Sequence, residues 1–312
     1  MAKEQFKTLI GGQALMEGIY MRGPEKQSIV VRKPDGELEC KVDPLILAKE
    51  RYPILGLPLI RGVVNFGASM VNGVKALLYS ATFLPEEEQE EPSRFEQWIE
   101  RKFGTDKLEK WLIYSAAVLG MVFAVAMFLL LPTFLVGLLR PVHDHLILRN
   151  VLEGVVKIVI FVIYLALVSR MKEIRRVFAY HGAEHKTIRC YEAQLPLTVE
   201  NVRPMTRLHP RCGTSFLFVV IIISMLVGAV IQVSNTLLRM LLHLLLLPVV
   251  VGVSYECNRL VGRHDNALTR ALSAPGMWFQ HFTTCEPDDS MLEVGIEALK
   301  LVIPEKKGAD RW

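Results

Sequence analysis

Cysteine is scarce in this sequence. There are five among 312 residues: Cys40, Cys190, Cys212, Cys257 and Cys285. The number is odd, and the spacing is not that of a secreted disulfide framework. Charge of one sign is also lacking. A net charge of +4 carries no nucleic-acid signal by itself. The first ten residues, MAKEQFKTLI, contain no signal-peptide apolar core, and no lipidation or retention motif stands at the other end. Neither a cleaved leader nor a lipid anchor is expected. No Walker loop, G-x-G-x-x-G turn or Ser-His-Asp order is convincing, which removes the commonest nucleotide-binding and serine-hydrolase readings. There is no internal repeat and no long low-complexity tract.

Long hydrophobic runs are what the chain does have. Hydrophobic residues make up 51% of it, and the mean hydropathy is +0.31. That is too apolar for an ordinary soluble domain. Four segments read as transmembrane helices: Trp111–Leu139, Val151–Ser169, Phe216–Val233 and Leu237–Tyr255. The second carries Glu153 and Lys157, and the fourth carries Arg239 and His243. These groups must pair or snorkel. His243 is most simply a helix–helix hydrogen bond.

Loop charge sets an expected orientation. The segment 170–215 holds Arg170, Lys172, Arg175, Arg176, Lys186, Arg189, Arg203, Arg207 and Arg211. The other loops between spans hold Arg140 and Arg149, or none. By the positive-inside rule 170–215 is cytoplasmic, and with four spans both termini are too. All five cysteines then lie on the reducing side as thiols or metal ligands.

The expected fold class is mainly α, a polytopic membrane protein with four transmembrane helices, an amphipathic or re-entrant segment and a small cytoplasmic β element. Residues 1–53 form the β-rich segment. Within them QSIVVRK and ELECKVD flank Pro34-Asp35-Gly36 as a hairpin, and GGQALMEGIYMRG reads as a third strand. Residues 54–83 are apolar but interrupted by Arg61, Asn65, Asn72 and Lys75, which suits an amphipathic or re-entrant helix better than a span. Residues 84–110 are an acidic linker leading into a helix. Spans one and two occupy 111–169, and spans three and four occupy 216–255. The cytoplasmic C-terminal region, 256–312, contains a helix capped by Asp288 or Asp289.

The chemistry concentrates in 170–215. The stretch YHGAEHK puts His181 and His185 one helical turn apart, on one face, with Glu184 beside them. The order H-x-x-E-H is that of the inverted zincins. Alone it is a short pattern, and a solvated pair of histidines explains it equally well. Further on, LHPRCGTSF places His209 and Cys212 around Pro210, like one half of a zinc knuckle with His for the first Cys. Together these give His181, His185, His209 and Cys212 as ligands for zinc or another divalent metal. Four protein ligands would make a closed structural site. If one stands aside, Glu184 can act as general base on water. A straight continuation of span two would carry His181 about 18 Å from the membrane, while Cys212 lies at its surface. The halves meet only if the chain bends, near Gly182 for example, or if the span extends further.

Other polar residues have simpler explanations. Glu17 and Arg22, in the glycine-rich strand after Gln13, are candidates to contact substrate or support the ligands. Glu256, Arg259, His264 and Asp265 follow span four, where snorkelling and surface pairing account for them. His143, Asp144 and His145 read as a solvated loop. Cys190 is a weak candidate nucleophile.

At these residues the chain resembles the YqhQ-like family of bacterial membrane proteins, described as candidate metal-dependent enzymes without an assigned function. The matching stretches are GGQALMEGIYMR (11–22), YHGAEHK (180–186), HPRCGTSF (209–216) and TCEPDDSMLEV (284–294). The resemblance implies a multi-pass protein of the bacterial inner membrane with a metal-dependent activity, and it supplies no substrate. Two expectations follow. One is a zinc-dependent membrane hydrolase working at the cytoplasmic face. The other is a non-catalytic membrane factor, whose zinc folds the loop and whose partner is protein-insertion machinery or the ribosome. The basic loop suits anionic lipid or ribosomal RNA equally well.

Overall fold

The computed structural model describes residues 6–46, 51–85, 98, 101, 105–139, 141, 145–231, 233–264, 266–306 and 308–311. Most of the acidic linker, together with His143, Asp144 and Asp265, lies outside them. The described chain is mainly helical, with one four-stranded antiparallel sheet in the order β1-β2-β3-β4. The strands are β1 (Gly11–Leu15), β2 (Gly18–Arg22), β3 (Lys26–Arg32) and β4 (Leu38–Pro44).

The hairpin expected around Pro34-Asp35-Gly36 joins β3 and β4, with Arg32 opposite Leu38. The stretch before it makes two strands rather than one. Glu17 adopts a left-handed backbone (φ 50°), which turns the chain tightly between Leu15 and Gly18. That conformation has no glycine to announce it.

Each face of the sheet has its own cover, because side chains alternate along a strand. Ile19, Met21 and Val30 face a core completed by helices α5 (Lys172–Glu192) and α10 (Asp289–Lys300). Leu15 and Tyr20 pack with Ala76 of α1 (Ile60–Ala81). The N-cap of α10 is Asp288, whose carboxylate accepts the Met291 N–H at 3.0 Å.

Among the described residues, three helices are long and apolar enough to cross a membrane. The first spans Tyr114–Gly137, built from α2 (Thr105–Val125), a π-helical turn (Ala126–Leu130) and α3 (Leu131–Gly137). The π turn stands just before Pro132, which has no N–H to continue a regular ladder. The others are α4 (Leu146–Val168) and α8 (Thr236–Arg263). Helix α7 (Gly213–Val230) has a shorter apolar stretch, Phe216–Val230. The expected amphipathic segment is the helix α1. It lies along α8, held by an Arg61–Glu256 ion pair and by Asn65 donating to the Tyr255 hydroxyl at 2.9 Å.

Inside the apolar helices Arg149 and Arg239 pair with Glu153. Glu153 receives Arg239 Nε at 2.8 Å and Arg149 Nε at 3.3 Å. Arg239 also donates to Ile231 O at 2.7 Å, and Arg149 to Ser234 O at 2.7 Å. Arg239 thus serves the carbonyl end of α7, the negative end of its dipole, and Arg149 the loop that follows. His243 Nδ1 meets Thr133 Oγ1 at 3.1 Å, the expected contact between helices.

Helix α6 (Val199–Val202) lies in the loop after α5, and α9 (Ala267–Thr283) follows α8.

Candidate metal centre

The chain turns at Ser169–Met171, between α4 and α5, and not at Gly182. That break lets α5 leave the line of α4, so that His181 and His185 meet Cys212 at the start of α7. The difficulty set by a straight helix is resolved there. Gly182 has another task. A Cβ at 182 would stand 2.1 Å from Cys285 O, so the bare Cα admits the segment after α9. The Cys285 N–H donates to Phe178 O at 2.8 Å and fixes that approach.

His181, His185 and Cys212 offer ligand atoms that all lie within 4.8 Å of one another. His181 Nε2 stands 3.2 Å from Cys212 Sγ. Tetrahedral zinc with ordinary bond lengths separates its nitrogen and sulfur ligands by about 3.5–3.6 Å, a few tenths of an ångström more. His185 is 1% exposed and Cys212 8%.

The tautomers follow from the partners. His181 Nδ1 is 2.8 Å from Thr283 O, and His185 Nδ1 is 2.6 Å from Arg207 O. A carbonyl only accepts, so each Nδ1 carries the proton. Both Nε2 atoms are then acceptors turned toward the Cys212 sulfur, open to its thiol proton or to a metal ion. Histidines that ligate metals are oriented in this way, the far N–H held by a carbonyl or carboxylate. Burial holds His185 below the usual imidazole range, which keeps it neutral.

Glu184 is buried beside the cluster. Its Oε1 accepts the Gly12 N–H at 2.9 Å, and its Oε2 lies 3.9 Å from His181 Nε2. Burial pushes its carboxyl up, against the opposing influence of His181 and the Gly12 N–H. Gly12 is close by necessity, since a Cβ there would meet Tyr20 O at 2.5 Å and Glu184 Cδ at 3.2 Å.

His209 is turned elsewhere. Gln280 brackets its backbone, accepting the His209 N–H at 2.7 Å and donating to its carbonyl at 2.7 Å. The ring faces Glu192, Nε2 to Oε2 at 3.4 Å. Burial above all, with the Arg211 charge nearby, lowers its pKa to about 4 despite Glu192. Arg211 and the Thr8 N–H also hold Glu192.

Glu17 sits at the β1–β2 turn, in an ion pair with Arg176, and accepts from the Tyr180 hydroxyl at 3.2 Å. Arg22 ends β2 opposite Gly11 and Gln27, with no hydrogen bond or ion pair to the cluster among the described residues. Cys190 is buried against Pro196 O, and burial raises its thiol, the reverse of an activated nucleophile. The residues that sequence reasoning missed are Thr283, Arg207 and Gly12, which act through backbone groups and leave no side-chain signal. Gln280 was also missed, because it acts from 71 positions away.

Residues 57–305 match the family described as protein of unknown function, DUF1385. The chain is also 34% identical over 304 residues to the uncharacterized protein YqhQ of Bacillus subtilis (strain 168), across 96% of this chain and 93% of that one. The chain therefore belongs to the DUF1385, YqhQ-like family. No solved structure matches it.

Proposed function

We propose that the protein is a metal-dependent hydrolase of the bacterial cytoplasmic membrane. The ion, zinc or another divalent cation, is held by His181, His185 and Cys212. The observation that carries this reading is the pair of Nδ1–H donations to Thr283 O and Arg207 O, which bare two Nε2 atoms beside a cysteine sulfur. Three protein ligands leave a coordination position open, the arrangement of catalytic rather than structural sites.

A bound divalent cation supplies a Lewis acid and makes water easier to deprotonate. The chain's own residues do the rest. Glu184, held by the Gly12 N–H, accepts a proton from attacking water and passes it to the leaving group. The protein walls of the site exclude bulk water and strengthen each electrostatic contact. His209 and Glu192 brace the wall next to His185.

In this reading α7 crosses the membrane with the three longer helices, α1 lies in the bilayer surface, and both termini and the metal centre are cytoplasmic. The basic residues of 170–215 support that side. The test is Glu184→Gln in a strain whose own gene is deleted. The variant should keep its metal and its thermal stability and fail to restore the deletion phenotype. Full restoration would instead favour a non-catalytic membrane factor that binds a protein partner around a structural ion.

A further inference from the structure

Helix α9 is too short and too interrupted to span a membrane, and the sequence places it in a cytoplasmic region. Its packing says otherwise. Phe279 is buried against Phe161 and Leu165 of α4, with Phe218 and Ile221 of α7 and Phe282 beside it. The Phe161 and Phe279 ring centroids are 5.1 Å apart. Phe161 lies seven residues before the end of α4, about 10 Å inside the apolar helix. So the C-terminal half of α9 sits level with membrane-crossing segments.

The rest of its surface is unusual for a water-facing helix. Leu268, Leu272 and Trp278 are exposed. At 100° per residue Leu268 and Leu272 lie on one side, the exposed Arg270 and His281 lie on the other, and Trp278 stands between the two groups. No Asp or Glu occurs between 267 and 283. The start of the helix is set by a capping box of Asn266 and Thr269, and Arg259 and Arg263 precede it. A basic, acid-free amphipathic helix with an outward tryptophan fits the boundary of acyl chains and anionic headgroups.

We propose that α9 is a membrane-surface helix. Leu268 and Leu272 enter the acyl layer of the bilayer that the long helices cross, Trp278 sits at the upper edge of that layer, and Arg270 and His281 face headgroup phosphates. The lipid surface is continuous with the exposed apolar faces of α4 and α8, which already require lipid. Helix α9 ends at Thr283, whose carbonyl orients His181, so the metal centre is seated at the bilayer boundary. The proposal rests on the membrane reading of the long helices and stands whether or not a metal binds.

The test uses the full chain in proteoliposomes containing phosphatidylglycerol. Trp98, Trp111 and Trp312 are replaced by Phe, leaving Trp278 as the fluorophore. Lipids brominated in the upper acyl chain should remove most of the emission, and aqueous iodide should remove little. If the triple variant does not fold, Trp278→Phe alone reads the same thing as a difference: the lipid-quenched part of wild-type emission falls. Quenching by iodide and not by brominated lipid overturns the proposal, because the face then meets water. Quenching by neither also overturns it, because the face is then covered by protein.

Discussion

Two polar clusters are buried in this molecule, and they are built differently. Around Glu153, one carboxylate is shared by Arg149 and Arg239, whose remaining donors reach carbonyls, Asn150 and Thr236. Those guanidiniums find their partners within the protein. Around Cys212, the opposite holds. Carbonyls take the protons on the far sides of His181 and His185, and two lone pairs and a sulfur face one another. The Cys212 thiol has one proton to share between the two nitrogens. The first cluster is closed by its own ion pairs, and the second has the ligand types and spacing that could hold a metal ion.

That contrast can be broken by substitution, and the largest effect is expected at Glu153. Removing a shared buried carboxylate leaves two unpaired guanidiniums, so Glu153→Ala should cost about 3–5 kcal/mol. Thermal unfolding in detergent would register this, while the folded fraction keeps its metal. An unchanged melting temperature would mean the arginines have other counter-charges.

Gly182→Ala is the sharper probe of the other cluster. The added methyl displaces Cys285 O and with it the Thr283 carbonyl that fixes His181. Losing an orienting partner costs about 10–100-fold in metal affinity. A competition titration against a chelator measures it. Unaltered affinity would show that the carbonyl does not set the ligand.

Gly12→Ala acts on Glu184 rather than on the ligands. Metal content should stay at the wild-type value, while restoration of the deletion phenotype weakens by about tenfold, less than the roughly 100-fold cost of a 1 Å misplacement. Loss of metal instead would place Glu184 among the ligands.

The smallest effect is expected at Lys157, which meets only Ser224 Oγ, at 3.2 Å, among the described residues. Replacing a poorly partnered buried ion with an apolar side chain of similar length is often neutral. Lys157→Met should therefore shift stability by no more than about 1 kcal/mol, in either direction. A loss as large as that of Glu153→Ala would tie Lys157 into the same network.

The two clusters were not equally legible in the sequence. His181, Glu184 and His185 could be read from helical spacing alone, and Cys212 from its half-knuckle turn. Spacing is local, and these relations are local. His209 matched the same pattern, yet its direction is set by Gln280 and Glu192, at separations of 71 and 17 residues that no periodicity encodes. The charges at Glu153 and Arg239 announced that they must pair, because hydrocarbon leaves few alternatives, but not that they pair together. The extra strand was hidden by Glu17, a non-glycine residue in a left-handed turn. Helix α9 was hidden because its composition is that of a loop region interrupted by Pro275, while its position comes from Phe279 packing onto α4.

The most direct measurement is the metal content of detergent-purified protein, by elemental mass spectrometry, for wild type, Cys212→Ser and His209→Ala. The account predicts about one divalent ion per chain in wild type and in His209→Ala, and loss in Cys212→Ser. No stoichiometric metal in the wild type after zinc loading, or equal loss in both variants, would contradict it.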